Sequence, residues 1–205
     1  MKFFVALLSV AVLTCHAQTT PAAPTIKGHT LGESLQQFIA ESSPITREQM
    51  QNCSATNGRD GYGDTISACT DYLLTVKTGN GSFDCTLPMY ELGTCRDFRG
   101  KVTFSDNKLV ELNLEITDQE WGDVLPYVVT KFGKPDETRV DTVQNAYGAK
   151  FDLQKASWTK PDYLVVAFEK INLPYNLKKF VEINLIDRSY FQSQQAKKAH
   201  GNALD

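Results

Sequence analysis

The sequence predicts an α+β domain in which an N-terminal helical hairpin and one further helix pack on an antiparallel β-sheet, stapled by disulfides. Three observations carry that expectation. Leu31, Leu35, Phe38 and Ile39 recur at the three- and four-residue intervals of a helix face. Val110, Leu112, Leu114 and Ile116 alternate with Glu111, Asn113 and Glu115, the period of a strand with one buried and one wet face. Four cysteines, Cys53, Cys69, Cys85 and Cys95, remain once an export leader is removed, and an even set in an exported chain reads as a disulfide framework.

The leader is residues 1–17. Lys2 supplies the positive start, and Phe3 to Leu13 form an apolar run interrupted in polarity only by Ser9. Crossing a bilayer takes about 20 apolar residues, so this run is too short to span one, and no later segment comes near that length. Cys15 has two possible fates. As a lipid-anchor cysteine it would tie the protein to a membrane, but Val12, Leu13 and Thr14 are bulky or β-branched where a lipobox wants small residues. The favoured cut follows Ala17, with small Cys15 at −3, and leaves a mature N-terminus at Gln18. Export to the periplasm or the exterior follows.

That cut removes Lys2 and leaves 20 basic residues against 24 acids, a formal charge of −4 over 188 residues. One domain is expected at that length. The acidic balance argues against a nucleic-acid partner, which calls for a basic excess on one face. A hydrophobic content of 41% with 10% aromatics lies far from the signature of disorder.

The elements follow in order. Residues 18–27, with Pro21 and Pro24 and no amphipathic period, read as a flexible leader, and residues 28–191 as the single domain. Thr30 and Glu33 stand at capping-box spacing before a first helix that ends by Pro44, and a second runs from about Thr46 to Cys53. Residues 54–66, with three glycines, form a loop bracketed by Cys53 and Cys69. Tyr72 to Lys77 reads as a strand, Thr78 to Gly81 as a turn and Ser82 to Leu87 as the return strand. A second hairpin joins Gly100–Phe104 to Lys108–Ile116. Thr117 and Glu120 repeat the capping-box spacing, and Val124, Val128 and Phe132 continue an apolar stripe. Pro126 suits only a first turn, so the helix is expected to start with Asp123 as its N-cap. Strands near Ala149–Trp158, Tyr163–Lys170 and Phe180–Asp187 complete the sheet, and residues 192–205 read as a frayed helix and mobile tail.

Four cysteines allow three connectivities. The sequential pairs Cys53 with Cys69 and Cys85 with Cys95 are favoured, because each closes a short loop, worth about 3 kcal/mol near 15 residues. The spacings C-x15-C-x15-C-x9-C contain no close pair that would preorganise a zinc site.

Catalytic machinery is scarce. Only His29 and His200 survive the cut, far apart and without acids or cysteines at ligand spacing, so both read as solvated surface residues. Acid pairs such as Asp118 with Glu120, or Asp136 with Glu137, could in principle serve a hydrolase. Helix capping explains Asp118, Glu120 and Asp123 without catalysis. Asp60 to Asp64, DGYGD, has the composition of a calcium loop but not its register. No phosphate-binding glycine loop and no cofactor motif is present. Asn52-Cys53-Ser54 and Asn80-Gly81-Ser82 are formal glycosylation sequons. Trp121, Trp158, Tyr163, Phe168, Tyr175 and Tyr190 read as core aromatics rather than a ligand groove.

Gly28 to Phe38, with Leu31-Gly32, Ser34 and Phe38, resembles the opening of small exported modules of the outer-membrane assembly lipoprotein (SmpA/OmlA) and β-lactamase-inhibitor-like type. The hairpin FSDNKLVELNLEI and the later KFGKP are similar to that family's strand, helix and G-x-P rhythm. The resemblance implies a helical hairpin paired with an antiparallel sheet and a noncatalytic binding scaffold of the cell envelope, and it transfers no functional residue. The expectation is therefore a binding module that contacts a protein or small ligand over one face of its sheet, without catalytic residue, cofactor or metal. An envelope hydrolase built on paired carboxylates is the alternative.

Overall fold

The computed structural model describes residues 25–26, 28–59, 62, 66–87, 98–117, 119–145, 147–171 and 179–201. The leader with Cys15, Ala17 and Gln18 lies outside them, as do Cys95, Asp118, Tyr175 and, except for Tyr62, the DGYGD stretch. The order is α1 (Leu35–Glu41), α2 (Pro44–Ala55), α3 (Ser67–Thr78), β1 (Gly81–Leu87), β2 (Phe98–Ser105), β3 (Lys108–Ile116), α4 (Trp121–Phe132), β4 (Glu137–Gln144), β5 (Lys150–Thr159), β6 (Tyr163–Ile171), β7 (Lys179–Asp187) and α5 (Arg188–Gly201). The α+β class holds, with one antiparallel sheet of seven strands in the order β1-β2-β3-β7-β6-β5-β4. Five helices are described where three were expected to pack on the sheet and a fourth to fray in the tail.

The first helix starts later than the Thr30–Glu33 spacing suggests. Glu33 does reach back to the Thr30 N–H at 3.1 Å, but the turn it closes is not continued. The complete capping box belongs to Ser34 and Gln37, which fixes the start of α1 at Leu35. Ser43 caps α2 through the Thr46 N–H, with Pro44 in the first position where its missing donor costs nothing. The core also takes in Ile26, bridged to His29, so order begins inside the stretch expected to be a flexible leader.

The largest correction is α3. Tyr72 to Lys77 was expected to be a strand, and it is helical because the residues that bury are Cys69, Tyr72 and Thr75, three apart, while Leu74 and Val76 face solvent. A strand would have buried alternate residues. Gly79 ends the helix in the left-handed conformation. Gly81 then turns directly into β1 at φ +144°, where an added Cβ would stand 2.5 Å from Thr75 Oγ1.

The β2–β3 hairpin closes through Asp106 and Asn107, both at positive φ, the two-residue turn that matches strand twist. Strand β3 has the bounds expected of it and lies inside the sheet between β2 and β7. Its Leu112, Leu114 and Ile116 face the same side as Leu185, Ile183 and Val181 of β7. Helices α1 to α3 pack over the β1–β3 part of the sheet, and α4 covers β6 and β7. Helix α4 begins at Trp121, with Glu120 as N-cap rather than Asp123, and carries Pro126 inside it. Beneath it Trp158 is fully buried against Phe132 and donates from Nε1 to the Gly133 carbonyl at 2.7 Å.

Strand β4 was not expected. Its sequence ETRVDTVQ places its two valines on opposite faces, so no apolar alternation announces it. It pairs with β5 over eight residues, whereas β5 pairs with β6 only from Lys155 to Thr159. At the parting point Glu169 substitutes for the ladder, accepting from the Gln154 N–H at 2.8 Å. The β4–β5 hairpin thus extends past its neighbour. Helix α5 runs on to Gly201, through most of the expected tail, and packs against β6 and β7. Among the described residues no helix is long and apolar enough to cross a membrane.

Candidate functional site

The site follows from how the helices meet the β1 end of the sheet. Cys53 near the end of α2 is bonded to Cys69 in the first turn of α3, with Cα atoms 5.1 Å apart. The disulfide and the bond from the Ile66 N–H, at the start of α3, to the Gly58 carbonyl, just past α2, hold the two helices side by side over β1. A cavity of about 720 Å³ opens there, within the range of small-molecule sites. Met50, Ile66, Tyr72 and Phe83 give it an apolar wall, joined by the disulfide and Cys85.

Strand alternation carries the cavity beyond that wall. Phe83 and Cys85 point toward the helices, whereas Asp84, Arg99 and Lys101 point to the opposite face, and all five line the same space. Asn113, Glu115, Lys170 and Glu182 extend it along the open face. One end is therefore apolar and roofed by helices, and the other is polar and ionic.

The polar end is organised around Glu182. This carboxylate is buried on the face expected to be wet, paired with the Lys170 ammonium and accepting from Asn113 Nδ2, which also donates to Asn184 Oδ1. Farther along the same face of β3, opposite Ile186, Glu111 is half-buried. Burial raises its pKa, a rise reinforced by Glu182 and opposed by the Thr103 hydroxyl and by Lys101. Tyr190 of α5 stands near Glu111, its phenol pushed up by burial and by that acid's charge. The open face is thus partly covered and carries an ordered polar network.

Cys85 carries a free thiol, and its predicted partner Cys95 lies outside the described residues. Burial first, and the charge of Asp84 second, push the thiol up to about 12, which leaves almost no thiolate at neutral pH.

His29 corrects another expectation. It is 2% exposed, not solvated, and its Nδ1 bonds to Glu33 Oε1 at 2.8 Å. Its ring also lies 4.2 Å from that of Phe38. With Glu41 these residues bring three donor atoms of the kinds a divalent cation takes within 4.8 Å of one another. The mutual His29–Glu33 bond and the Phe38 contact already account for two of the three, as a tie between the entry loop and α1. The remaining sequence candidates are dispersed. Asp136 accepts from the Thr159 N–H at 2.6 Å and Glu137 stands by Arg139 on exposed β4, so neither joins the cavity. Asn52 is exposed on α2 with the next residue in the disulfide, and Asn80 is occupied by bonds to the Thr78 carbonyl and the Asp106 N–H.

Sequence reasoning missed the cavity because its walls come from five separate strands and two helices. The signal it did hold was the run of polar residues opposite Leu112 and Leu114, read only as a wet face. No protein-family model, no curated protein and no solved structure matches this chain.

Proposed function

We propose that the protein is an exported, noncatalytic binding module that takes an amphipathic small molecule into the cavity between α2–α3 and the β1 end of the sheet. The observation that carries this is the 720 Å³ space itself, apolar at one end and lined with paired charges at the other. Such a site holds a ligand by burying its apolar body and orients it by a few placed polar groups. The leader of residues 1–17 supports an extracytoplasmic address, periplasmic or secreted. The reading does not rest on the resemblance to envelope assembly modules, which no family match accompanies.

Two measurements test it. Intact mass of the exported protein is expected to begin at Gln18, and a lipidated product beginning at Cys15 would replace the free form by an anchored one. Anilinonaphthalene sulfonate, apolar with a charged head, is expected to bind saturably to the native protein, and Ile66→Trp, which fills the apolar end from an exposed position, should weaken binding roughly tenfold. Absence of saturable binding, or binding indifferent to Ile66→Trp, defeats the proposal. Turnover of a hydrolase model substrate that is lost in Glu115→Gln would favour the carboxylate enzyme instead.

A further inference from the structure

We propose that the protein forms a two-fold dimer in which β4 pairs antiparallel with β4 of a second copy, centred on Val140, joining two seven-stranded sheets into one. The two edges of the sheet differ in cover, and β4 lies away from the cavity. Strand β1 has α3 packed against it, whereas every described side chain of β4 is exposed or half-exposed and Val140 is 52% exposed.

Exposed edges are ordinarily blunted by shortness, a bulge, proline or charged side chains, lysine above all. Strand β4 has neither bulge, proline nor lysine, and it runs for eight residues in unbroken register with β5. What it does carry is three charges, Glu137, Arg139 and Asp141, whose spacing selects a partner.

A two-fold axis perpendicular to the sheet keeps each face on its own side, so a residue can lie opposite only one of its own parity. That restriction leaves few registers. Centring on Val140 sets Arg139 opposite Asp141 twice and Thr138 opposite Thr142 twice, both favourable cross-strand pairs. It also sets Glu137 opposite Val143, so all contacts from Glu137 to Val143 are used without a clash of charge. Centring one residue earlier sets Arg139 against Arg139, and one residue later sets Asp141 against Asp141. Within each copy Arg139 Nε already lies 3.2 Å from Asp141 Oδ1, so the charges stand on one face ready to form an alternating group of four. The axis also falls where the hairpin parts from β6, since Val140 is opposite Gln154, and the far half of the arm is clear of that strand.

Light scattering with size exclusion over a hundredfold range of concentration tests the dimer on the exported chain. The mass is expected to rise from one copy to two. Asp141→Arg, which sets like charges opposite each other, should weaken association about tenfold or more. Arg139→Asp should do the same, and the double exchange Arg139→Asp with Asp141→Arg should restore it. Circular dichroism is expected to be unchanged throughout, because both side chains are half exposed on an edge. A monomer across the whole range, a dimer indifferent to the single exchanges, or a double exchange that does not restore association each overturns the proposal.

Discussion

At the scale of single residues, environment decides what a side chain does, and Glu111 and His29 show how. Both were read as solvated because sequence gives polarity and not enclosure. Glu111 is half-buried, and the pKa that burial raises has a definite consequence for stability. The folded chain holds this proton to higher pH than the unfolded chain does. The penalty of ionising it is therefore absent below the unfolded carboxylate range, grows as pH rises through that range, and is complete above the folded value. Denaturant titrations of wild type and Glu111→Gln should then diverge, wild type losing stability relative to the variant as pH rises from acid toward neutral. Parallel pH profiles would mean that the acid is as hydrated folded as unfolded. Gly81 makes the same point for backbone, since only contact with Thr75 across the turn shows why no side chain fits there.

At the scale of elements, periodicity served for β3, misled for α3 and was absent from β4. Strand β3 alternates because helices cover one side of it, and its bounds were legible to the residue. Strand β4 has no buried face and therefore no pattern, while α3 hid behind the β-branched and aromatic character of YLLTVK. Truncation separates these cases. Leu112→Ala should cost about 2 to 5 kcal/mol through lost burial and the cavity left behind. Leu74→Ala, on the solvent side of α3, should change stability by less than about 0.5 kcal/mol. Chemical denaturation measures both, and a severe Leu74→Ala would return the segment to the alternating strand first expected there.

At the scale of the whole molecule, the covalent cross-link among the described residues is the Cys53–Cys69 bond, which ties α2 to α3. It closes a loop with a sequence separation of 16, worth about 3 kcal/mol through restriction of the unfolded chain. Cys53→Ser with Cys69→Ser should lower unfolding free energy by about that amount and weaken ligand retention, because the bond positions the helical wall of the cavity. Equal stability of the double variant would show that packing of Met50, Tyr72 and Phe83 alone holds that wall.

By itself the sequence determined the α+β class, the bounds of β3 and the approximate places of α2, β1, β5, β6 and β7, and it favoured the Cys53–Cys69 pairing among three connectivities. Each of these rests on neighbours along the chain, on a period, a cap or a short loop, which physics makes local. Tertiary structure alone decided the helicity of α3, the edge position of β4, the burial of His29 and Glu182, and the cavity that joins both sides of the sheet. Those features depend on which distant residues come together, and enclosure by distant residues leaves no periodic trace in the segment enclosed.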